Sequence, residues 1–99
     1  MGKCGVPMNR IKSQMTYTVY VLKSAESHFH YIGHTINLPD RLRRHNRGQV
    51  RSTKAYRPLT SIYTEEYPSK SAAQQREYYL KRGEGNLWLR DYLQAQGVW

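Results

Sequence analysis

One acidic residue, Glu77, falls on the apolar stripe of a predicted helix, where a carboxylate is costly unless it is paired or binds a metal ion. It follows Ala73 by four residues and precedes Leu80 by three, so the three side chains share one helix face. The other acidic residues form no D-x-D cluster that would hold two metal ions. One divalent ion, bound by one carboxylate, water and a phosphate, suits Mg²⁺. A salt bridge from Glu77 to one of the many arginines is the alternative interpretation.

Cationic and phenolic side chains supply the rest of the candidate chemistry. Arg41 and His45 are four residues apart on a predicted helix and share a face. Arg41 can hold a phosphate with two hydrogen bonds and stabilise developing charge, unless it is one of several solvated arginines. Tyr20 and Tyr31 lie on two predicted neighbouring strands. A phenol near a metal-bound water and cations would have a lowered pKa and help to activate water; the alternative is that both rings simply pack.

Alternating apolar and polar residues predict the elements that position these side chains. Residues 16–22 are typical of a strand, and residues 29–32 of a second, short strand that Gly33 ends. The connection is too short for a crossover, so the two strands should pair antiparallel. Asn37 suits the N-cap of a first helix, which should end near Gly48.

The second half of the chain predicts one more strand and two more helices. Residues 49–58 are basic and irregular, and residues 59–67 favour a third strand. A second helix should cover about 69–82, with a capping box at Ser71 and Gln74, and a third should begin near Asn86. The order is β-β-α-β-α-α, a small α/β (α+β) fold with a three-stranded antiparallel sheet flanked by helices. We expect one domain over residues 16–99, after a flexible basic arm over residues 1–15.

The charge balance favours an anionic partner. Sixteen basic and seven acidic residues give a net charge of +9. Nucleic acid is the favoured partner for such a charge; an acidic protein partner is the second explanation, and a charge that serves only solubility is the third. Cys4 is the only cysteine, and the four histidines have no zinc-site spacing. No apolar run approaches the roughly 18 residues that would span a membrane, and the first fifteen residues lack the apolar core of a secretory signal. We expect a cytoplasmic, nucleoid-associated protein without a membrane partner.

Several short motifs occur together in one order. They are Val19-Tyr20-Val21-Leu22, Tyr31-Ile32-Gly33, Asn37-Leu38, Arg41, His45-Asn46, and Glu77 followed by Lys81. This set resembles the GIY-YIG nuclease domain family, and the resemblance covers about residues 16–93. It is most similar to the small standalone bacterial members, which are related to the excision-repair incision nuclease and to structure-selective endonucleases. The first motif departs from the family pattern, because it reads Thr-Val-Tyr where the family has Gly-Ile-Tyr.

The resemblance implies an endonuclease that hydrolyses phosphodiester bonds in DNA with one Mg²⁺ or Mn²⁺ ion, structure-selective or of low specificity, in repair or recombination. A protein partner could direct its specificity. Glu77 would bind the metal, and Tyr31, more than Tyr20, would orient the attacking water. The implied catalytic residues are Tyr20, Tyr31, Arg41, His45 and Glu77; the implied nucleic-acid contacts are His34, Arg44, Arg51, Lys54 and Lys81; and the implied structural residues are Gly33, at a tight turn, and Asn86.

Two other functions stay open at this point. The same fold could hold nucleic acid without cutting it, although pure binding has no need for the lone acid Glu77. A basic protein could also dock on an acidic partner through exposed tyrosines.

Overall fold

The structure is a computed structural model that describes residues Met15 to Trp99. The predicted arm over residues 1–15 therefore lies, apart from Met15, outside the described residues. None of the described helices combines the length and the apolar character that crossing a membrane requires.

The three predicted strands form one antiparallel sheet. Strand β1 (Tyr17–Ser24) lies in the centre, with β2 (His30–Thr35) on one side and β3 (Leu59–Tyr67) on the other. Both pairings of β1 are antiparallel, as the short β1–β2 connection requires. Ser24 N donates to Phe29 O at 3.0 Å and closes that hairpin. The sheet leaves β2 as an edge strand.

Three helices pack on this sheet in the predicted order β-β-α-β-α-α. They are α1 (Leu38–Asn46), α2 (Lys70–Leu80) and α3 (Gly83–Ala95), and a short 3₁₀ turn at Lys54–Tyr56 precedes β3. Asn37 caps α1 as expected, because its side-chain oxygen accepts from Asp40 N at 3.1 Å. The predicted fold class, a small α+β domain with a three-stranded antiparallel sheet, is confirmed.

Each face of the sheet carries its own apolar cluster, because successive strand residues point to opposite faces. Helices α2 and α3 cover the face that includes Val19, Val21 and Ile32, and contribute Ala73, Leu80, Leu89 and Leu93. Helix α1 covers the opposite face, which holds Tyr20, Leu22 and Leu59 with the partly buried Tyr31, Leu38 and Leu42. The two motif tyrosines therefore lie on the α1 side of the sheet.

Three local expectations were wrong. Gly33 does not end β2 but lies inside it, without the positive φ of a turn glycine. The cap of α2 is Ser69, whose hydroxyl accepts from Ala72 N at 3.1 Å, and not Ser71. Helix α3 begins at Gly83, three residues before Asn86. Gly85 lies in the first turn of α3. This position has no room for a side chain, because a Cβ there would lie 2.1 Å from the carbonyl oxygen of Tyr79.

Candidate catalytic site

A chain of hydrogen bonds runs behind the motif tyrosines, through fully buried side chains. The Tyr20 hydroxyl lies 3.0 Å from Nε2 of His45, and Nδ1 of His45 lies 2.8 Å from the Thr53 hydroxyl. That hydroxyl donates its single hydrogen to the carbonyl oxygen of Val50 at 3.3 Å. Thr53 must therefore accept from His45 Nδ1–H, which leaves Nε2 free to accept from Tyr20. The network assigns the tautomer of His45 and makes Tyr20 the donor.

Burial sets the protonation of this pair. It lowers the pKa of His45, and the nearby Arg41 guanidinium lowers it further, so the imidazole is neutral at pH 7. Burial raises the pKa of the Tyr20 hydroxyl well above its usual value, and the neighbouring Tyr31 adds to this, while Arg41 acts in the opposite direction. In the protein without a metal ion the loss of solvation thus outweighs the cation at Tyr20, and the lowering expected beside a metal-bound water stays a prediction.

Gly33 makes room for Tyr20 on the neighbouring strand. The two residues are directly paired between β1 and β2, and a Cβ on Gly33 would come within 2.8 Å of the Tyr20 hydroxyl oxygen and 2.9 Å of the Tyr31 ring. Gly33 therefore allows two aromatic rings to lie close to the backbone within a strand, and it does not form the tight turn that we expected.

Tyr31 is the motif tyrosine that reaches the surface. It pairs with Leu22, so it is a diagonal neighbour of Tyr20, with ring centroids 6.1 Å apart. Its ring also meets His45 edge-on at 4.9 Å. Tyr31 is only partly buried and lines a cleft of about 400 Å³ beside the edge strand, together with Lys81 and Asn86. Of the two tyrosines, Tyr31 is the one that solvent or substrate can contact.

Glu77 projects from α2 towards β2 and is bonded on both oxygens. His34 Nδ1 lies 2.5 Å from Oε1, and Lys81 Nζ lies 2.6 Å from Oε2. The carboxylate side chain is 17% exposed. Burial by itself would raise the pKa of Glu77, but the hydrogen bonds and charges of Lys81 and His34 outweigh it and hold the pKa below its usual value. Glu77 is therefore ionised at neutral pH, and both of its partners had been expected to contact nucleic acid.

The donors at Glu77 fit a single, partly hydrated metal ion. Among residues 15–99, no group of three or more His, Cys, Asp and Glu side chains could form an all-protein cage. A carboxylate oxygen accepts up to two hydrogen bonds or ligand bonds, so each oxygen of Glu77 keeps an unused lone pair beside its present partner. One ionised carboxylate is the protein ligand that Mg²⁺ commonly uses when water and a substrate phosphate complete its shell.

Arg41 lines a second cleft, of about 370 Å³, together with His34 and Lys70. Glu77 contacts one residue of each cleft, Lys81 of the first and His34 of the second. Both Arg41 and Glu77 lie close enough to Tyr20 to influence the pKa of its hydroxyl. Tyr20, Tyr31 and His45 thus lie together on the α1 side of the sheet. Glu77 approaches the edge strand β2 from α2, and its partners Lys81 and His34 connect it with the cleft of Tyr31 and with the cleft of Arg41.

The remaining basic residues are distributed unevenly along the chain. From Met15 to Pro58 there are eight Lys and Arg residues against two acids, whereas from Leu59 to Trp99 there are five of each. The excess lies in α1 and the segment after it, where Arg44, Arg51 and Lys54 are all exposed. These three remain available to an external anion, unlike Lys81 and His34.

Two polar residues have roles that local sequence patterns do not reveal. Asn86 Nδ2 donates to the Leu80 carbonyl at 3.0 Å, so this side chain joins the end of α2 to α3. Thr53 is the buried partner of His45. It follows His45 by eight residues, and no helix or strand contains both of them.

Comparisons with known proteins show the family of this chain. Residues 16–90 match the family model of the GIY-YIG catalytic domain. A UPF0213 protein of Pediococcus pentosaceus is 44% identical over 80 residues, which cover 80% of this chain and 82% of the relative. One from Staphylococcus haemolyticus is 39% identical over 64 residues, covering 64% of this chain and 77% of the relative. The NMR structure of a UPF0213 protein from Bacillus halodurans is 26% identical and covers 80% of this chain and 85% of that one, with a TM-score of 0.48. The chain belongs to the GIY-YIG family.

Proposed function

We propose that this protein is an endonuclease that hydrolyses phosphodiester bonds in DNA with the help of one divalent metal ion, Mg²⁺ or Mn²⁺. One observation carries the proposal. Glu77 is ionised, and its two partners line two clefts, Lys81 the one with Tyr31 and His34 the one with Arg41. A carboxylate, a phenol and a guanidinium therefore lie around the edge strand β2, beside open surface. Membership of the GIY-YIG family supports the nuclease class.

The chain's own residues divide the work of in-line hydrolysis. Tyr31, the partly exposed phenol, aligns the water that attacks phosphorus. Tyr20 and His45 are buried behind it and act as positioning residues, because their hydrogen bond fixes the surface on which Tyr31 packs. Arg41 binds a non-bridging oxygen of the scissile phosphate and stabilises the charge that grows there. Attack by water forms one P–O bond and breaks the bond to the 3′ oxygen, which leaves as a hydroxyl.

Glu77 is the residue that would hold the metal ion. When bound, such an ion supplies Lewis-acid stabilisation of the phosphate and of the leaving oxygen. Lys81 and His34 hold the Glu77 carboxylate in place from two sides, which fixes its direction before substrate arrives.

Substrate capture falls to the basic segment around α1. Arg44, Arg51 and Lys54 are exposed and lie in the half of the chain that carries the excess positive charge. Contacts of this kind are made to phosphates, so they recognise charge and shape more than sequence. We therefore propose structure-selective or low-specificity cutting, in DNA repair or recombination in the cytoplasm, with a protein partner as one source of further specificity.

A non-catalytic DNA-binding module is the second candidate. The observation in its favour is that both oxygens of Glu77 already have cationic or donor partners, which would suffice to explain a partly buried carboxylate. This candidate predicts salt-sensitive binding without cutting.

Incubation of the purified protein with plain, nicked, flapped and branched DNA tests the proposal. Each substrate is offered with Mg²⁺, with Mn²⁺ and with EDTA. We expect cutting with either metal, none with EDTA, and a preference among the shapes. Tight binding to every substrate with no cutting under any condition would favour the binding module instead.

A further inference from the structure

The cleft of about 400 Å³ beside Tyr31 is lined by more aromatic residues than contact with a phosphate requires. Its volume lies within the roughly 300–1,000 Å³ range of clefts that bind small organic groups. Its lining includes three aromatic residues, Phe29, Tyr31 and Trp99, and four polar ones, His30, Ser52, Lys81 and Asn86. Flat apolar walls with a few polar groups suit a planar heterocycle better than they suit a phosphate.

Two of these rings are held by stacking on neighbours outside the candidate catalytic set. Trp99 stacks on His30 with ring centroids 3.6 Å apart and planes 11° apart. Phe29 stacks on Tyr56 at 3.8 Å and 4°. Rings fixed in this way lose little freedom when a further flat group packs against them, so the cleft is organised before it is filled.

Asn86 lines the cleft with a side-chain amide that is held by a hydrogen bond. Its Nδ2 donates to the Leu80 carbonyl at 3.0 Å, which fixes the orientation of the amide. Its Oδ1 accepts no hydrogen bond from any residue between Met15 and Trp99. Unstacked nucleobases are recognised in proteins by this combination of aromatic faces and fixed polar groups at the base edge.

The cleft also lies next to the proposed point of cutting. Lys81 belongs to its wall and contacts Glu77 at 2.6 Å, and Tyr31 belongs to both the cleft and the candidate catalytic set. We propose that the cleft binds the unstacked base of a nucleotide adjacent to the phosphodiester that is cut. The position of the cut rests on the proposed function; the binding of a base does not. A base inside an intact duplex is stacked on both faces, so the cleft selects DNA with an unpaired nucleotide.

The two tryptophans of the chain allow a direct test by fluorescence. Trp88 lies on α3, 42% exposed and outside the cleft, so the variant Trp88→Phe leaves Trp99 as the sole indole reporter. This variant is titrated in EDTA with three duplexes: fully paired, with one unpaired nucleotide, and with an abasic unit at that position. We expect Trp99 emission to be quenched only by the unpaired base, and the abasic duplex to bind roughly 5- to 100-fold more weakly than its base-containing counterpart.

A second variant, Trp99→Leu, should lose the preference for the unpaired base while Trp88→Phe keeps it, with circular dichroism confirming that both are folded. Equal affinity for the base-containing and abasic duplexes, without quenching, would overturn the inference even if Trp99→Leu did not fold. Cutting without any base preference would remove the inference and leave the proposed function standing. Base-dependent quenching without cutting would support the inference and contradict the proposed function.

Discussion

Tyr20 and Gly33 face each other across the β1–β2 pair, and the tyrosine hydroxyl occupies the space that a side chain on residue 33 would need. A Cβ there would lie 2.8 Å from the hydroxyl oxygen. Gly33→Ala should therefore displace Tyr20, weaken its hydrogen bond to His45 and destabilise the protein by about 1–3 kcal/mol. Urea unfolding measures the loss of stability.

The double variant Gly33→Ala with Tyr20→Phe provides the control for this contact. Removing the hydroxyl removes the nearest clashing atom, so the two substitutions should cost less together than the sum of their separate costs, by about 0.5–3 kcal/mol. Strict additivity would show that the Tyr20 hydroxyl is not the source of the crowding at residue 33, where Tyr20 Cζ and Tyr31 Cε2 would also lie 2.9 Å from a Cβ.

The neutral state of His45 predicts how stability depends on pH. Burial, aided by Arg41, lowers the pKa of His45 in the folded protein, so between that value and the unfolded value of about 6.5 the unfolded chain binds more protons. The stability from His45 is complete above about pH 6.5 and declines as the pH falls towards the folded pKa. His45→Gln should flatten this part of the pH–stability curve, whereas replacing the exposed His28 by Gln should leave it unchanged. An unaltered slope in His45→Gln would contradict the assignment.

A second polar network joins β3 to α2 away from the clefts. Arg76 donates to both oxygens of Glu65, at 2.8 and 3.0 Å, and the hydroxyls of Tyr63 and Tyr67 donate to the same carboxylate. Glu65→Gln should destabilise the protein by about 1.5–3 kcal/mol, the usual range for hydrogen bonds to a charged group, and leave DNA cutting unchanged.

Asp91→Asn is the matched comparison for Glu65→Gln. The Arg90–Asp91 pair is long, at 3.7 Å, and largely exposed, so its removal should cost about 0–1 kcal/mol. Thermal unfolding of the two variants under one set of conditions separates the cases. A Glu65→Gln variant as stable as Asp91→Asn would mean that the network adds nothing to the fold.

Positive charge in the α1 half of the chain predicts where DNA lies. Arg44→Gln should weaken binding to all DNA sequences alike and reduce the slope of log K against log salt by about 1. Arg90→Gln, in the half with balanced charge, should not change the slope. Fluorescence anisotropy at several salt concentrations measures both slopes, and equal slopes for the two variants would place the DNA elsewhere.

Local patterns predicted the elements well because each carries its own signal. The alternation in β1, the N-cap at Asn37 and the breaker Pro68 after β3 need no tertiary information. The role of Gly33 was misjudged, since a glycine at a strand centre and one at a turn look the same in a sequence. Only the register of β1 with β2, which sets Tyr20 opposite Gly33, distinguishes them.

The residues of the candidate site likewise divide into those with a local signal in the sequence and those that only the tertiary structure reveals. The lone acid on an apolar stripe was visible in the helical spacing around Glu77. Its partner His34 was not, because this residue is 43 residues away on another element. The raised pKa of the Tyr20 hydroxyl in the metal-free protein could not be predicted for a related reason: the sequence shows the nearby cations but not how completely the ring is buried.

The cleavage rate of Glu77→Gln shows whether this carboxylate is needed for cutting. Single-turnover cutting of the preferred DNA is measured with Mg²⁺ for the wild type, for Glu77→Gln and for Glu66→Gln, which alters an exposed carboxylate on β3. Circular dichroism and anisotropy confirm that all three proteins are folded and bind DNA. We predict a rate about 10²–10³-fold lower for Glu77→Gln and unchanged for Glu66→Gln. Cutting by Glu77→Gln at the wild-type rate would contradict the proposal that Glu77 holds the metal ion on which cutting depends.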